Sequence, residues 1–163
     1  MNKVLLFIIV LFFSCKEFNY SDLRRRSSKA LNSSNSAANG EFEMSFVDSL
    51  SDDQKEALFF LEQAVLDSNP DKFNQIFNLN ANKIKEMLDT VVKCLQAKRK
   101  AKVALERSND ANAANAKQQL LQVEKTYIDN LRQSFITTKN IEDACNLVKN
   151  YDASAFFLTF YVN

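Results

Sequence analysis

The sequence predicts an all-α protein, a helical bundle built on a long antiparallel helical hairpin with shorter flanking helices. Three observations carry this expectation. Glycine and proline occur once each in 163 residues, and an all-β domain needs far more turn residues than that. Apolar residues recur at three- and four-residue spacing along two long stretches, the period of one helix face. Ser51, Asn69 and Asn140 stand just ahead of periodic segments, where side-chain oxygens accept from the unpaired amides of a helix start.

The elements follow in chain order. Ser51-Asp52-Asp53-Gln54 has the form of a capping box, with Asp52 and Asp53 placed to meet the positive end of the helix. That helix is expected to run to Ser68, with Leu58, Leu61 and Val65 as its stripe and Phe59, Phe60 and Leu66 widening it. Asn69-Pro70 stops it and starts a short helix over 71–77, Pro being favoured at the first helical position. A long helix is expected over 82–107, carried by Ile84, Leu88, Val91, Val92 and Leu95 and resuming at Val103 and Leu105. A polar break at 108–112 precedes a second long helix over 113–138, striped by Leu120, Val123, Tyr127, Leu131 and Phe135, with Leu121 and Ile128 beside them. Each would be about 39 Å long at 1.5 Å per residue, and so short a break favours antiparallel neighbours. Asn140 caps a short amphipathic helix of Ile141, Ala144, Cys145 and Val148. Asp152 or Ser154 is placed to cap a last turn, and the apolar run 155–162 should bury, as helix or, alternatively, as strand.

The N-terminus carries a different pattern. Met1 to Cys15 reads MNKVLLFIIVLFFSC: a positive start at Lys3, an apolar run from Val4 to Phe13, then Ser14 and Cys15. A membrane span needs about 20 apolar residues, whereas a short apolar run after a positive start has the form of an export signal. Residues 1–14 are therefore read as a lipoprotein signal peptide, with cleavage before Cys15 and a lipid on its thiol. Residues 15–49 are read as the lipidated Cys and a flexible tether, rich in Ser and Asn and without apolar period. Residues 50–163 form the expected helical domain.

Composition narrows the chemistry. Lys and Arg total 21 against 20 Asp and Glu, and loss of Lys3 with the signal leaves the two equal. A dedicated nucleic-acid binder would show a strong basic excess, so no nucleic-acid partner is expected. There is no His, which removes Ser-His-Asp and Cys-His triads and most zinc sites. One Gly cannot build a phosphate-cradling loop. The chain is read as non-catalytic, with no cofactor and no metal. Cys94 and Cys145 stand on separate predicted helices, as buried thiols or as the disulfide that export would permit. One cluster has binding potential: Lys98, Arg99, Lys100, Lys102 and Arg107 near the hairpin tip, as a patch for an anionic ligand, a sulfated glycan or an acidic protein.

The relaxed lipobox with Phe13 before Ser14, the polar tether, the helix opening LSDDQKEALFFLEQAV and the following NANKIKEMLDTVVKCL together resemble the plasmid-encoded lipoproteins of Borrelia spirochetes. The orf-D family is the nearer in pattern and the multicopy lipoprotein (Mlp) family the second. The resemblance spans residues 1–15 and 50–95 and brings no catalytic residues. It implies a lipid-anchored protein of the bacterial outer membrane, facing host or vector from the cell surface. The alternative is a periplasm-facing envelope scaffold or assembly lipoprotein.

Overall fold

The computed structural model describes residues 45–66, 69–108 and 112–161, all within one compact unit, Glu41–Asn163. The run Val4–Phe13, Cys15 and the tether up to residue 44 lie outside the described residues. The architecture is all-α, a helical bundle in which the long helices pack against each other. In chain order the helices are α1 (Asp52–Leu66), α2 (Pro70–Asn74), α3 (Ala81–Arg107), α4 (Ala113–Thr137), α5 (Ile141–Asn150) and α6 (Ser154–Leu158), with a 3-10 turn at Gln75–Asn78 after α2.

Local chemistry fixes most of the helix starts. The Ser51 hydroxyl accepts from the Gln54 amide at 3.2 Å, and the Gln54 side chain accepts from the Ser51 amide at 3.2 Å, the reciprocal pair of a capping box. Asn69 accepts from the Lys72 amide, Asn80 from the Asn82 amide and Asn140 from the Asp143 amide. The segment expected as one helix over 71–77 divides: α2 ends at Asn74 and the chain tightens into the 3-10 turn. That turn sets Phe73 and Ile76 into the core.

The folded body also begins before residue 50. Residues 45–48 form a helical turn, and Phe46 and Leu50 are buried with the core. The Phe46 ring meets Phe77 edge-on at 6.4 Å. The boundary expected at 50 therefore falls inside a packed segment. An isolated turn of this kind is held by tertiary burial and not by periodicity.

Helix α3 is the centre of the bundle and packs against α1, α4, α5 and α6. Its buried residues include Ile84, Leu88, Val91, Cys94, Leu95, Ala97, Ala101 and Leu105, more than one narrow stripe, as a helix covered on several sides requires. The chain after α5 climbs α3. The Thr90 hydroxyl donates to the Lys149 carbonyl at 3.0 Å, and the Cys94 thiol lies 3.8 Å from the Asp152 carboxylate. Ala97 and Ala101 are the next buried small residues of α3, and α6 packs against this helix.

Tyr127 of α4 joins three parts of the molecule. Its ring stacks on Phe60 of α1 at 6.0 Å and on Tyr151 at 5.8 Å, and meets Phe157 of α6 edge-on at 5.9 Å. Aromatic pairs at these separations add about 0.5–1.5 kcal/mol each beyond area burial. The terminal apolar run is helix over Ser154–Leu158, and it buries only in part. Phe157 is fully buried, whereas Phe156 is 58% exposed and Tyr161 56%. A short helix lying on the bundle presents one side to the core: Phe157 and the half-buried Phe160 pack inward, while Phe156 and Tyr161 point out. Cys94 and Cys145 are buried free thiols, so no disulfide joins them.

Candidate functional site

The cationic cluster lies on the last three turns of α3 and does not act as one patch. Lys98 turns inward. Its ammonium pairs with Glu124 of α4 and sits 5.6 Å from the centre of the Phe60 ring. Arg99 turns to α1, pairing with Glu56 at 3.0 Å and with Asp53 at 3.7 Å. These two cations cross-link the long helices and α1. Lys100, Lys102 and Arg107 are exposed, and among the described residues no carboxylate lies within ion-pairing distance of them. The expected five-residue patch is thus two structural cations and three outward ones, because Lys98 and Arg99 find carboxylates 26 and 43 residues away in sequence.

The structure adds neighbours that spacing along α3 did not indicate. Lys117 and Lys125 of α4 are exposed on the same hairpin. Val103 and Leu121, placed by periodicity on or beside the core stripes, are 42% and 52% exposed. Among the described residues no helix covers these aliphatic groups. The only sequence signal for this was the polar run 96–102, which marks where the core side of α3 narrows.

A second concave feature lies between α3 and α5. Leu79, Lys83, Glu86, Glu142, Cys145, Asn146 and Lys149 line a cleft of about 110 Å³. Ion pairs Lys83–Glu142 and Lys149–Glu86, the latter at 2.6 Å, cross it. The Lys149 hydrogen bond and charge hold the Glu86 carboxyl below its usual range. Small-molecule sites are about 300–1,000 Å³, so this cleft is smaller than an ordinary ligand site. Burial, and then the charge of Glu142, push the Cys145 thiol up to about 12, which leaves it protonated and unreactive at neutral pH.

The third polar cluster joins two buried side chains, Cys94 and Tyr127, to the exposed Asp152. Burial raises the Cys94 thiol, and burial raises the Tyr127 phenol beside it. Asp152 is held below its usual range by Ser154, whose amide donates to the Asp152 carboxylate at 2.9 Å. The N-cap of α6 is Ala153, not Asp152 or Ser154 as expected, and Asp152 meets the first helical amide from one residue further out. A protonated thiol, a neutral phenol and a carboxylate held by the Ser154 amide form a packing joint, with neither a nucleophile nor a base poised on a cavity.

Among the described residues no group of three metal-ligating side chains occurs, and no helix is long and apolar enough to cross a membrane. Comparison with protein-family models, with curated proteins and with solved structures finds no match to this chain.

Proposed function

We propose that this chain is a lipid-anchored outer-surface lipoprotein of a spirochete, non-catalytic, held in the membrane by a lipid on Cys15 and making host- or vector-facing contacts with proteins or glycans through its helical body. The observation that carries the reading is the N-terminal series Lys3, Val4–Phe13, Ser14, Cys15. A compact body whose polar side chains are engaged in helix caps and inter-helix ion pairs supports a binding role over a catalytic one.

Two measurements test it. Radiolabelled palmitate fed to the producing cells labels the protein, and Cys15→Ala abolishes the label. Protease added to intact cells removes the folded body. Survival of the body in intact cells, with loss only after lysis, would assign it to the periplasmic face as an envelope scaffold or assembly lipoprotein.

A further inference from the structure

We propose that the outer part of the α3–α4 hairpin is a docking face for an anionic lipid surface, so that the folded body lies against the bilayer that the tether reaches. The inference rests on the lipid-anchor reading for its setting, but its evidence is the surface of the hairpin.

Charge is unevenly distributed in the folded unit. Residues 98–125 hold seven Lys and Arg against three Asp and Glu, whereas residues 45–97 hold five against nine. Lys98 is engaged by Glu124, and Arg99 by Glu56 and Asp53. The cations left outward are Lys100, Lys102 and Arg107 on α3 with Lys117 and Lys125 on α4.

The exposed aliphatic side chains lie among these cations. At 100° per residue, Lys100, Val103 and Arg107 fall within about 60° of one another around α3. The Lys98–Glu124 pair fixes the antiparallel register, placing Leu121 level with Ala101 and Lys117 level with Leu105. With the two chains running in opposite directions, the same construction turns Leu121 to the side that Val103 faces. The result is a face with Val103 and Leu121 at 42% and 52% exposure, Lys100, Arg107 and Lys117 around them, and one exposed carboxylate, Glu106, beside Val103.

That mixture selects among polyanions. A sulfated glycan chain gains from the cations and nothing from two exposed aliphatic side chains. A lipid interface gains from both: headgroups take the ammonium and guanidinium groups, and the aliphatic groups enter the headgroup–acyl boundary. The face is small, so its affinity alone is modest. A tether that already holds the body at the bilayer supplies the high effective concentration that makes a modest face sufficient.

The test uses residues 41–163, which contain the whole described core and lack Cys15, in co-sedimentation with vesicles. Binding is expected to equimolar phosphatidylcholine and phosphatidylglycerol and not to phosphatidylcholine alone. Lys100→Gln with Arg107→Gln is expected to lower partitioning about thirtyfold, at the usual contribution of each basic residue near an anionic surface. Val103→Ser with Leu121→Ser lowers it several-fold with an unchanged melting temperature. Lys139→Gln, an exposed cation at the far end of α4, leaves it unchanged. Absence of vesicle binding, equal loss with Lys139→Gln, no effect of the two serine changes, or binding to heparin without binding to vesicles would each overturn the proposal. Palmitate labelling of the full chain in cells reads the anchor separately, so failure of one reading is distinguishable from failure of the other.

Discussion

The ammonium of Lys72 donates to the backbone carbonyl of Phe135 at 2.8 Å and also to that of Thr138. Lys72 is only 8% exposed. Its carbonyl partners belong to the end of α4, where the last turn has no amides of its own to meet them. A buried cation is acceptable there because it meets the negative end of a helix and satisfies two acceptors at once. Lys72→Met keeps the stem and removes the donor. It is expected to lower stability by about 1–3 kcal/mol, read as a shift of the urea midpoint with unchanged slope. An unchanged midpoint would show that water replaces the ammonium without cost.

The same logic applies at the hairpin seam, where Lys98 serves Glu124 and the Phe60 ring together. Its side chain and that of Glu124 are 25% and 26% exposed, so solvent screens the pair less than a surface one. A double-mutant cycle of Lys98→Met and Glu124→Gln is expected to give a coupling of about 1 kcal/mol. A coupling near zero would mean that Lys98 is held by Phe60 alone.

What the sequence made legible was local. Ser51 with Gln54, Asn69 and Asn140 all cap as their spacing indicates, because a cap and its amide lie within three residues. The two long helices were legible because their apolar period persists for many turns. Tertiary partnership was not legible. Nothing near Lys98 or Arg99 announces Glu124 or Glu56, so five cations within ten residues looked like one patch. Leu121 reads as core by composition, yet among the described residues no helix covers it and it is 52% exposed. Phe46 reads as tether because its partner, Phe77, is 31 residues on, across a 3-10 turn that no periodicity marks.

Phe156 and Phe157 put that distinction to a direct test. Adjacent and chemically identical, they are 58% and 0% exposed. Phe157→Ala is expected to cost about 3–5 kcal/mol, as for other large buried aromatics, while Phe156→Ala stays within about 0.5 kcal/mol of the parent. Chemical denaturation of the two variants reads both values. Equal costs would refute the orientation of α6.

Tyr127 stands at the centre of the aromatic joint, and its buried hydroxyl makes no hydrogen bond of ordinary geometry. Its polar neighbour is the Cys94 thiol, a weak hydrogen-bonding group that relieves little of the hydroxyl's desolvation cost. Tyr127→Phe keeps the ring contacts with Phe60, Tyr151 and Phe157 and removes that cost. Its stability is expected to equal or exceed that of the parent by up to about 1 kcal/mol, whereas Tyr127→Ala should cost about 3–5 kcal/mol. A Tyr127→Phe variant destabilised by thermal melting would reveal a bond made by the hydroxyl.

Alkaline conditions act on the other side of α3. The Cys145 thiol is raised to about 12 in the folded protein, against about 8.5 when the chain is unfolded. Between these values the folded state holds a proton that the unfolded state has released. Stability from this site is therefore complete below about pH 8.5 and is lost as pH rises toward the folded value. Cys94 and Tyr127, both raised chiefly by burial, act with the same sign. Urea denaturation from pH 7 to the alkaline limit of the assay is expected to show stability falling above about pH 8.5, with a shallower fall in Cys145→Ala. At neutral pH a thiol reagent should label neither Cys94 nor Cys145 until denaturant is added. Rapid labelling of native Cys145, or the same alkaline slope with and without its thiol, would show that the cleft between α3 and α5 opens more readily than its two ion pairs suggest.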